Sequence, residues 1–411
     1  MKQGYLSQYF KGVAAKTLSA VEADLVKSNQ HEFNGDASLK IIFGFEKQKF
    51  SARFIYLSDT DDEPPTDDGF LTWYDARENH PKRTEYRLYF PATSVSVCAS
   101  EGDELFIGLK PDNSVLAIIA ENGSTIANQL YWLFGIAESD YPDFSIREEP
   151  ESEQDRIAFA SRLILEQIGI EVEKREETFL EDMLHRFKGC FPTTREFSEY
   201  ARFTLNDISP LDNPDLVLMR WMEREEILFR TLEGHMIAEW LNSHTRFSVD
   251  GFLNYSISVQ NRRKSRVGQA FENHVEQLFA SRNIRFDRTK ITENRSKPDF
   301  IFPGITEYHD ITFNADLLTM LGVKSTCKDR WRQVLSEAER IPSKHLLTLE
   351  AAISENQTNE MKSQHLQLVV PAEICKTYSK KQQKCLMNME DFVHLVLTRQ
   401  IKAEHLTSPF S

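Results

Sequence analysis

Up to about Ile136 the apolar positions fall in short β-branched or aromatic runs: LKIIFGF, ARFIYLS, GFLTWYDA, EYRLYFPATSVSVCA, ELFIGLK and SVLAIIA. The breaks HEFNGDAS, DDEPPTDDG and KPDNS supply Gly, Pro, Asn and Asp at the intervals of an all-β sandwich or barrel. GSTIANQLYWLFGI then predicts a closing helix. From Ile157 the period changes, and RIAFASRLILEQIG, EETFLEDMLHRFKG and PDLVLMRWMEREEILFRTLEGHMIAEWLNS place apolar residues three and four apart, as helices do. SRVGQAFENHVEQLFASR carries one apolar stripe through Val267, Ala270, Phe271, Val275, Leu278 and Phe279. After it IRFDRTK, DFIFPG, MLGVKST, a helix over KDRWRQVLSEAERI, HLLTLE and LQLVVPAE alternate strand with helix, which predicts an α/β core around a central sheet. No internal repeat supports a solenoid.

Between the two patterns lies residues 138–156, with eight acidic residues, two arginines and two prolines, the composition of a linker. The expectation is therefore two domains, 1–137 and 157–411, joined by that acidic segment, and 411 residues suffice for two cores. No apolar stretch approaches the roughly 20 residues of a membrane span, and the N-terminus lacks the apolar segment of a signal peptide. Five cysteines without a CxxC pair indicate neither a disulfide framework nor a zinc ribbon and fit a reducing cytoplasm.

The net charge of −14 argues against a polyanion partner, but the charge is segregated. Residues 261–345 hold 16 Lys and Arg against 11 Asp and Glu, which points either to one anion-binding face or to an ordinary solvated helix surface. Within that stretch Pro298-Asp299 opens DFIF, Lys324 lies 25 residues on inside LGVKST, and Glu337 follows 13 residues later on the expected helix. A carboxylate and a lysine near a core are costly unless paired or bound to metal. They read either as a structural ion pair or as a site for a hard cation such as Mg²⁺, with the lysine orienting water beside a scissile phosphate. Glu272, at the edge of its helix stripe, is either a third carboxylate or the partner of a basic side chain. Lys328, Asp329 and Arg330 begin the next helix. Arginine reads guanine bidentately and aspartate accepts from cytosine, so the trio suits a C·G step; helix capping by Asp329 is the plainer explanation.

In this order, NRRKSRVGQAFENHVEQLF, KPDFIFPGITEYHD, MLGVKSTCKDRWRQVLSEAERI and HLLTLE resemble the catalytic domain of the EcoRII family of type II restriction endonucleases, in the PD-(D/E)XK superfamily. The resemblance covers at least residues 257–350 and implies an α/β restriction-endonuclease-like fold with a central mixed sheet. It also implies Mg²⁺-dependent cleavage of double-stranded DNA at CCWGG-like sites leaving 5′-phosphate ends, in a bacterial or archaeal cytoplasm. Glu272, Asp299, Lys324 and Glu337 stand at the matching active-site positions, the three acids as metal ligands, with Lys328, Asp329 and Arg330 as base readers. Gly322 replaces the usual acid two residues before the lysine, and Glu337 would supply that carboxylate instead. A homodimer or a monomer, engaging one DNA site or two at once, remains open.

The first block resembles a B3-type DNA-binding pseudobarrel, the effector domain of EcoRII-like enzymes. Two polar arms carry this likeness: KSNQHEFNG with Asn29, Gln30 and His31, and WYDARENHPKRTEYR with Trp73, Arg77, Lys82 and Arg83. Three other readings stay open. They are a repair or methyl-dependent nuclease, a catalytically silent B3-type regulator, and covalent catalysis by Tyr308 beside His309.

Overall fold

The computed structural model describes residues 9–23, 31–60, 64–78, 80, 83–136, 145–146, 168, 179–205, 207–243, 249–327 and 330–407. The expected acidic linker and the RIAFASRLILEQIG helix lie almost wholly outside these residues. The chain divides into two compact units, residues 1–171 with 351–357, and 172–350 with 358–411.

The first unit is built on one curled sheet whose strands are β1 (Gly12–Thr17), β2 (Glu32–Asn34), β3 (Gln48–Leu57), β4 (Thr66–Asp75), β5 (Tyr86–Tyr89), β6 (Glu104–Leu109), β7 (Val115–Ala120) and β8 (Ser145–Ile146). Their order is β2-β5-β4-β3-β7-β6-β1-β8, every neighbouring pair being antiparallel except β3 and β7. This half-barrel fits a pseudobarrel. Alternation in β3 and β4 turns Phe50, Ala52, Phe54, Leu71 and Trp73 inward.

Two of the expected strands are helices. The first five residues of LKIIFGF lie in a helix, Ala37–Phe43, because Asp36 accepts the Leu39 amide at its start. Gly44, at φ 77°, turns the chain at its end, and Leu39 and Phe43, four apart, take the buried face. TSVSVC likewise forms a short helix, Ser94–Cys98, begun by a reciprocal Thr93–Ser96 capping box. The closing helix, Thr125–Phe134, forms as expected, capped by Ser124 and ended by Gly135.

The second unit stacks a helical layer on a five-stranded mixed sheet. The helices Leu180–Phe187, Thr194–Phe203, Pro214–Ser243 and Val249–Ser281 bury Met183, Phe197, Tyr200, Leu228, Phe229 and Leu232 in one cluster. The sheet runs β13 (Leu366–Val369), β12 (Lys344–Thr348), β11 (Thr319–Lys324), β10 (Phe300–Phe302), β9 (Asp287–Arg288). β11, β12 and β13 are mutually parallel, while β10 is antiparallel to both β11 and β9. Phe279, from the apolar stripe anticipated in the long helix, meets Phe300, Phe302 and Phe392 edge-on or tilted at centroid distances of 5.5, 5.1 and 6.1 Å. That aromatic knot seats the helix against the strands that carry the acid and the lysine.

Candidate active site

The β10–β11 ladder ends at the pair Phe300–Leu321. One residue earlier the side chain of Asp299 takes over from the backbone, its Oδ2 accepting the Val323 amide at 2.7 Å and the Lys324 ammonium at 2.8 Å. Asp299 is 8% exposed, so its charge is held by these two donors rather than by water. Lys324 ends β11 and stays partly open to solvent.

Gly322 lies two residues before Lys324 and so shares its side of the strand. A Cβ there would sit 2.9 Å from Val334 Cγ2. The helix Trp331–Leu335 therefore packs where the usual acid would stand, and the chain leaving that helix brings Glu337 in its place. This corrects one expectation: the helix stops at Leu335, and Glu337 lies in the bend beyond it. The following turn, where Ala338 adopts φ 50°, is held by Lys344 Nζ on the Ile341 carbonyl at 2.9 Å. Arg340 adds bonds to the carbonyls of Glu307, Tyr308 and Phe313.

Glu337 Oε2 is buried without a hydrogen-bond partner. Burial, reinforced by the charge of Asp299, pushes its carboxyl up to about 7, against the pull of Lys324 and Lys344. Glu272 is raised as well, by burial first and then by Asp299, while its bond to Arg288 acts in the opposite sense. Two carboxyls thus feel a third, which is the electrostatic condition a cation would relieve.

The three acids are not gathered into a cage. Among the described residues no group of three or more His, Cys, Asp or Glu side chains is placed to hold a metal ion. The reason is visible at Glu272, whose Oε2 is 2.5 Å from Arg288 Nη2. The basic-partner alternative for Glu272 is thus realised in this structure, which leaves Asp299 and Glu337 as the carboxylates without an arginine partner. That pair still suits Mg²⁺, which is commonly held by one or two carboxylates together with water and phosphate oxygens.

Lys328 and Asp329 lie outside the described residues. Arg330 is exposed at the start of the Trp331–Leu335 helix, its amide bonded to the Cys327 carbonyl at 2.8 Å. Glu350, just past β12, accepts the Cys327 amide and so ties the turn after Lys324 to the neighbouring strand. Tyr308 is 1% exposed, its hydroxyl given to Glu293 Oε2 at 2.5 Å. Burial and that bond push its pKa up, so it is a poor nucleophile and the covalent alternative loses its key residue.

The basic island is largely spent within its own unit. Arg263 pairs with Glu233 at 2.7 Å, Arg266 with Glu225 at 3.0 Å, Arg285 with Glu307 at 3.3 Å and Arg332 with Glu360 at 3.0 Å. Arg262 lies 4.1 Å over the Phe191 ring, and Arg282 bonds the carbonyls of Pro210 and Asp212.

In the first unit Asn29, Gln30 and Lys82 lie outside the described residues. His31 is half-buried, 5.7 Å from the Phe90 ring. Arg77 and Arg83 are exposed, Arg77 pairing with Glu85 at 2.5 Å. Trp73 cannot face a groove: it is fully buried, stacked on Tyr86 at 5.1 Å, with its indole N–H on the Gly44 carbonyl. What sequence reasoning missed is the face opposite Trp73. There Lys49, Phe70, Tyr74, Arg87 and Tyr89 share the outer side of β3, β4 and β5, with Lys49 3.6 Å over Phe70. The inward-outward alternation of those strands was the available signal.

The mixed sheet thus brings an aspartate at the opening of its antiparallel strand onto the lysine that ends the neighbouring strand. Residues 229–393 match the family described as EcoRII C terminal, and the chain is EcoRII-like over this region. It is 38% identical over 206 residues to the type II restriction enzyme EcoRII of Escherichia coli, covering 49% of this chain and only 50% of that enzyme. The chain thus matches about half the length of that relative. Two solved structures are also similar. Metal-depleted Ecl18kI with uncleaved, modified DNA is 18% identical, covering 58% of this chain and 88% of the other at TM-score 0.43. A PspGI restriction endonuclease–substrate DNA complex is 19% identical, covering 52% and 94% at TM-score 0.43.

Proposed function

We propose that this chain is a type II restriction endonuclease that hydrolyses double-stranded DNA at a specific CCWGG-like site, leaving 5′-phosphate ends. The observation that carries the reading is the Asp299–Lys324 pair at the end of the β10–β11 ladder, inside the region that matches the EcoRII C-terminal family.

Asp299 and Glu337 would hold Mg²⁺, while Glu272 stays paired with Arg288. When bound, such a cation polarises the scissile phosphate and offsets the charge that builds on it. Lys324, already aimed at Asp299, positions the attacking water and adds positive charge next to the phosphate. Arg330 would read base edges, together with Lys328 and Asp329. The first unit would act as a B3-like effector domain that binds DNA itself, using Arg77, Arg83 and the outer face of β3, β4 and β5.

The test is plasmid digestion with Mg²⁺ by the wild type, Asp299→Asn and Lys324→Ala. Defined fragments from the wild type alone are expected. No cutting by a folded wild type favours a DNA-binding regulator, and cutting only of methylated DNA favours a methyl-dependent nuclease.

A further inference from the structure

Arg288 is the second residue of β9, paired with Phe300 at the start of β10, and its guanidinium reaches across to the Val249–Ser281 helix. There it brackets two glutamates one helical turn apart: Nη2 lies 2.5 Å from Glu272 Oε2 and Nη1 2.6 Å from Glu276 Oε2. Nη1 also donates to Asn273 Oδ1 at 3.3 Å, and the guanidinium carbon lies 5.8 Å from the centre of the Phe300 ring. Glu276 accepts in addition from Arg195 at 2.8 Å, so it has a second cation, and Arg288 is not needed to hold it alone. A half-buried arginine with two carboxylates on its fork is badly placed to take a DNA phosphate. It faces inward, toward the acid that the reaction centre would otherwise recruit.

Resting on the nuclease reading above, we propose that Arg288 is a positioning residue that keeps Glu272 off the metal and confines the ion to Asp299 and Glu337. A guanidinium in the fixed geometry of a bidentate bracket restrains the carboxylate far more than a lysine or water would. Its positive charge also opposes an incoming cation. The site therefore binds its metal weakly until DNA phosphate oxygens complete the coordination, which restrains cation-dependent chemistry in the absence of DNA.

Direct Mn²⁺ binding to the full-length protein without DNA, followed by the paramagnetic resonance of the free ion, tests this without using activity. Arg288→Met is expected to tighten Mn²⁺ binding by about tenfold, since it removes a nearby charge and frees a third carboxylate. Arg288→Lys, which keeps the charge but loses the two-carboxylate bracket, should fall between the wild type and the neutral variants. Arg288→Gln serves if the methionine variant does not fold, with the same expected direction. Adding Glu272→Gln to either neutral variant should cancel most of the gain. Unchanged or weaker binding in the neutral variants, or a gain that survives Glu272→Gln, overturns the proposal. Asp299→Asn separates the two claims. If the wild type binds Mn²⁺ through Asp299 and the neutral variants match it, only the role of Arg288 falls; if neither the wild type nor the neutral variants bind Mn²⁺ even with duplex DNA present, the metal-nuclease reading falls with it.

Discussion

Each acidic side chain in the second unit is defined by its nearest donor. Asp299 has two, Glu272 has an arginine, and Glu337 Oε2 has none. The contrast yields opposite expectations. Removing Lys324 or neutralising Asp299 should lower cleavage by about 10²–10³-fold, the cost of losing one preorganised electrostatic contact to a reacting phosphate, with circular dichroism unchanged. Glu337 should instead register in stability. Its carboxyl is raised to about 7 in the fold, so the folded form binds more protons than the unfolded chain between the ordinary glutamate range and that value. Metal-free protein should therefore lose stability as pH rises from about 5 to 8, and Glu337→Gln should flatten that decline in urea titrations. A decline of the same slope in the variant would assign the effect to another group. Arg330→Ala should keep cleavage but relax discrimination at one G·C pair by about 1–3 kcal/mol, read from rates on single-substitution sites.

Elements decide which of these residues meet. Gly322 is the clearest case, because any side chain there would strike Val334. Gly322→Ala should cost about 1–3 kcal/mol of stability by denaturant titration, and Gly322→Glu should fail to restore the missing superfamily acid and lower activity further. Retained stability in either variant would mean that the Trp331–Leu335 helix is not packed on β11 as described. The strands DFIFPG, MLGVKST, HLLTLE and LQLVVPAE were legible because short apolar runs between turn residues have few other ways to be buried. LKIIFGF and TSVSVC were misread because apolar density was weighed above the Asp36 and Thr93 caps that start helices there. The helix bearing Glu337 was drawn too long for a related reason. KDRWRQVLSEAERI keeps helical spacing to its end, but the turn held by Lys344 and Arg340 takes the chain out of that path. Such long-range bonds leave no periodic trace in sequence.

At the scale of the molecule, composition proved a poor guide to where charge acts. The basic stretch 261–345 suggested an anion-binding face, whereas Arg263, Arg266, Arg285, Arg288 and Arg332 pair with glutamates of their own unit. Asp299, Glu337 and the lysine were singled out from motif order, whereas the contacts of Arg288 with Glu276 and of Glu350 with Cys327 were not, since each arises only across the fold. An acidic protein with so much of its basic charge internally spent should grip DNA through few phosphates. Its affinity should therefore fall with salt with a logarithmic slope well short of the roughly −10 of a heavily charged repressor; a slope of that size would show that the paired arginines are released on binding. The central claim is that Asp299, Lys324 and Glu337 form one metal-dependent centre for cutting DNA at a defined sequence. Sequencing the ends of plasmid digested by the wild type and by Asp299→Asn, with and without Mg²⁺, tests it most directly. The account predicts 5′-phosphate ends at one recurrent sequence, present only with the wild type and Mg²⁺; scattered ends, or the same ends from Asp299→Asn, would contradict it.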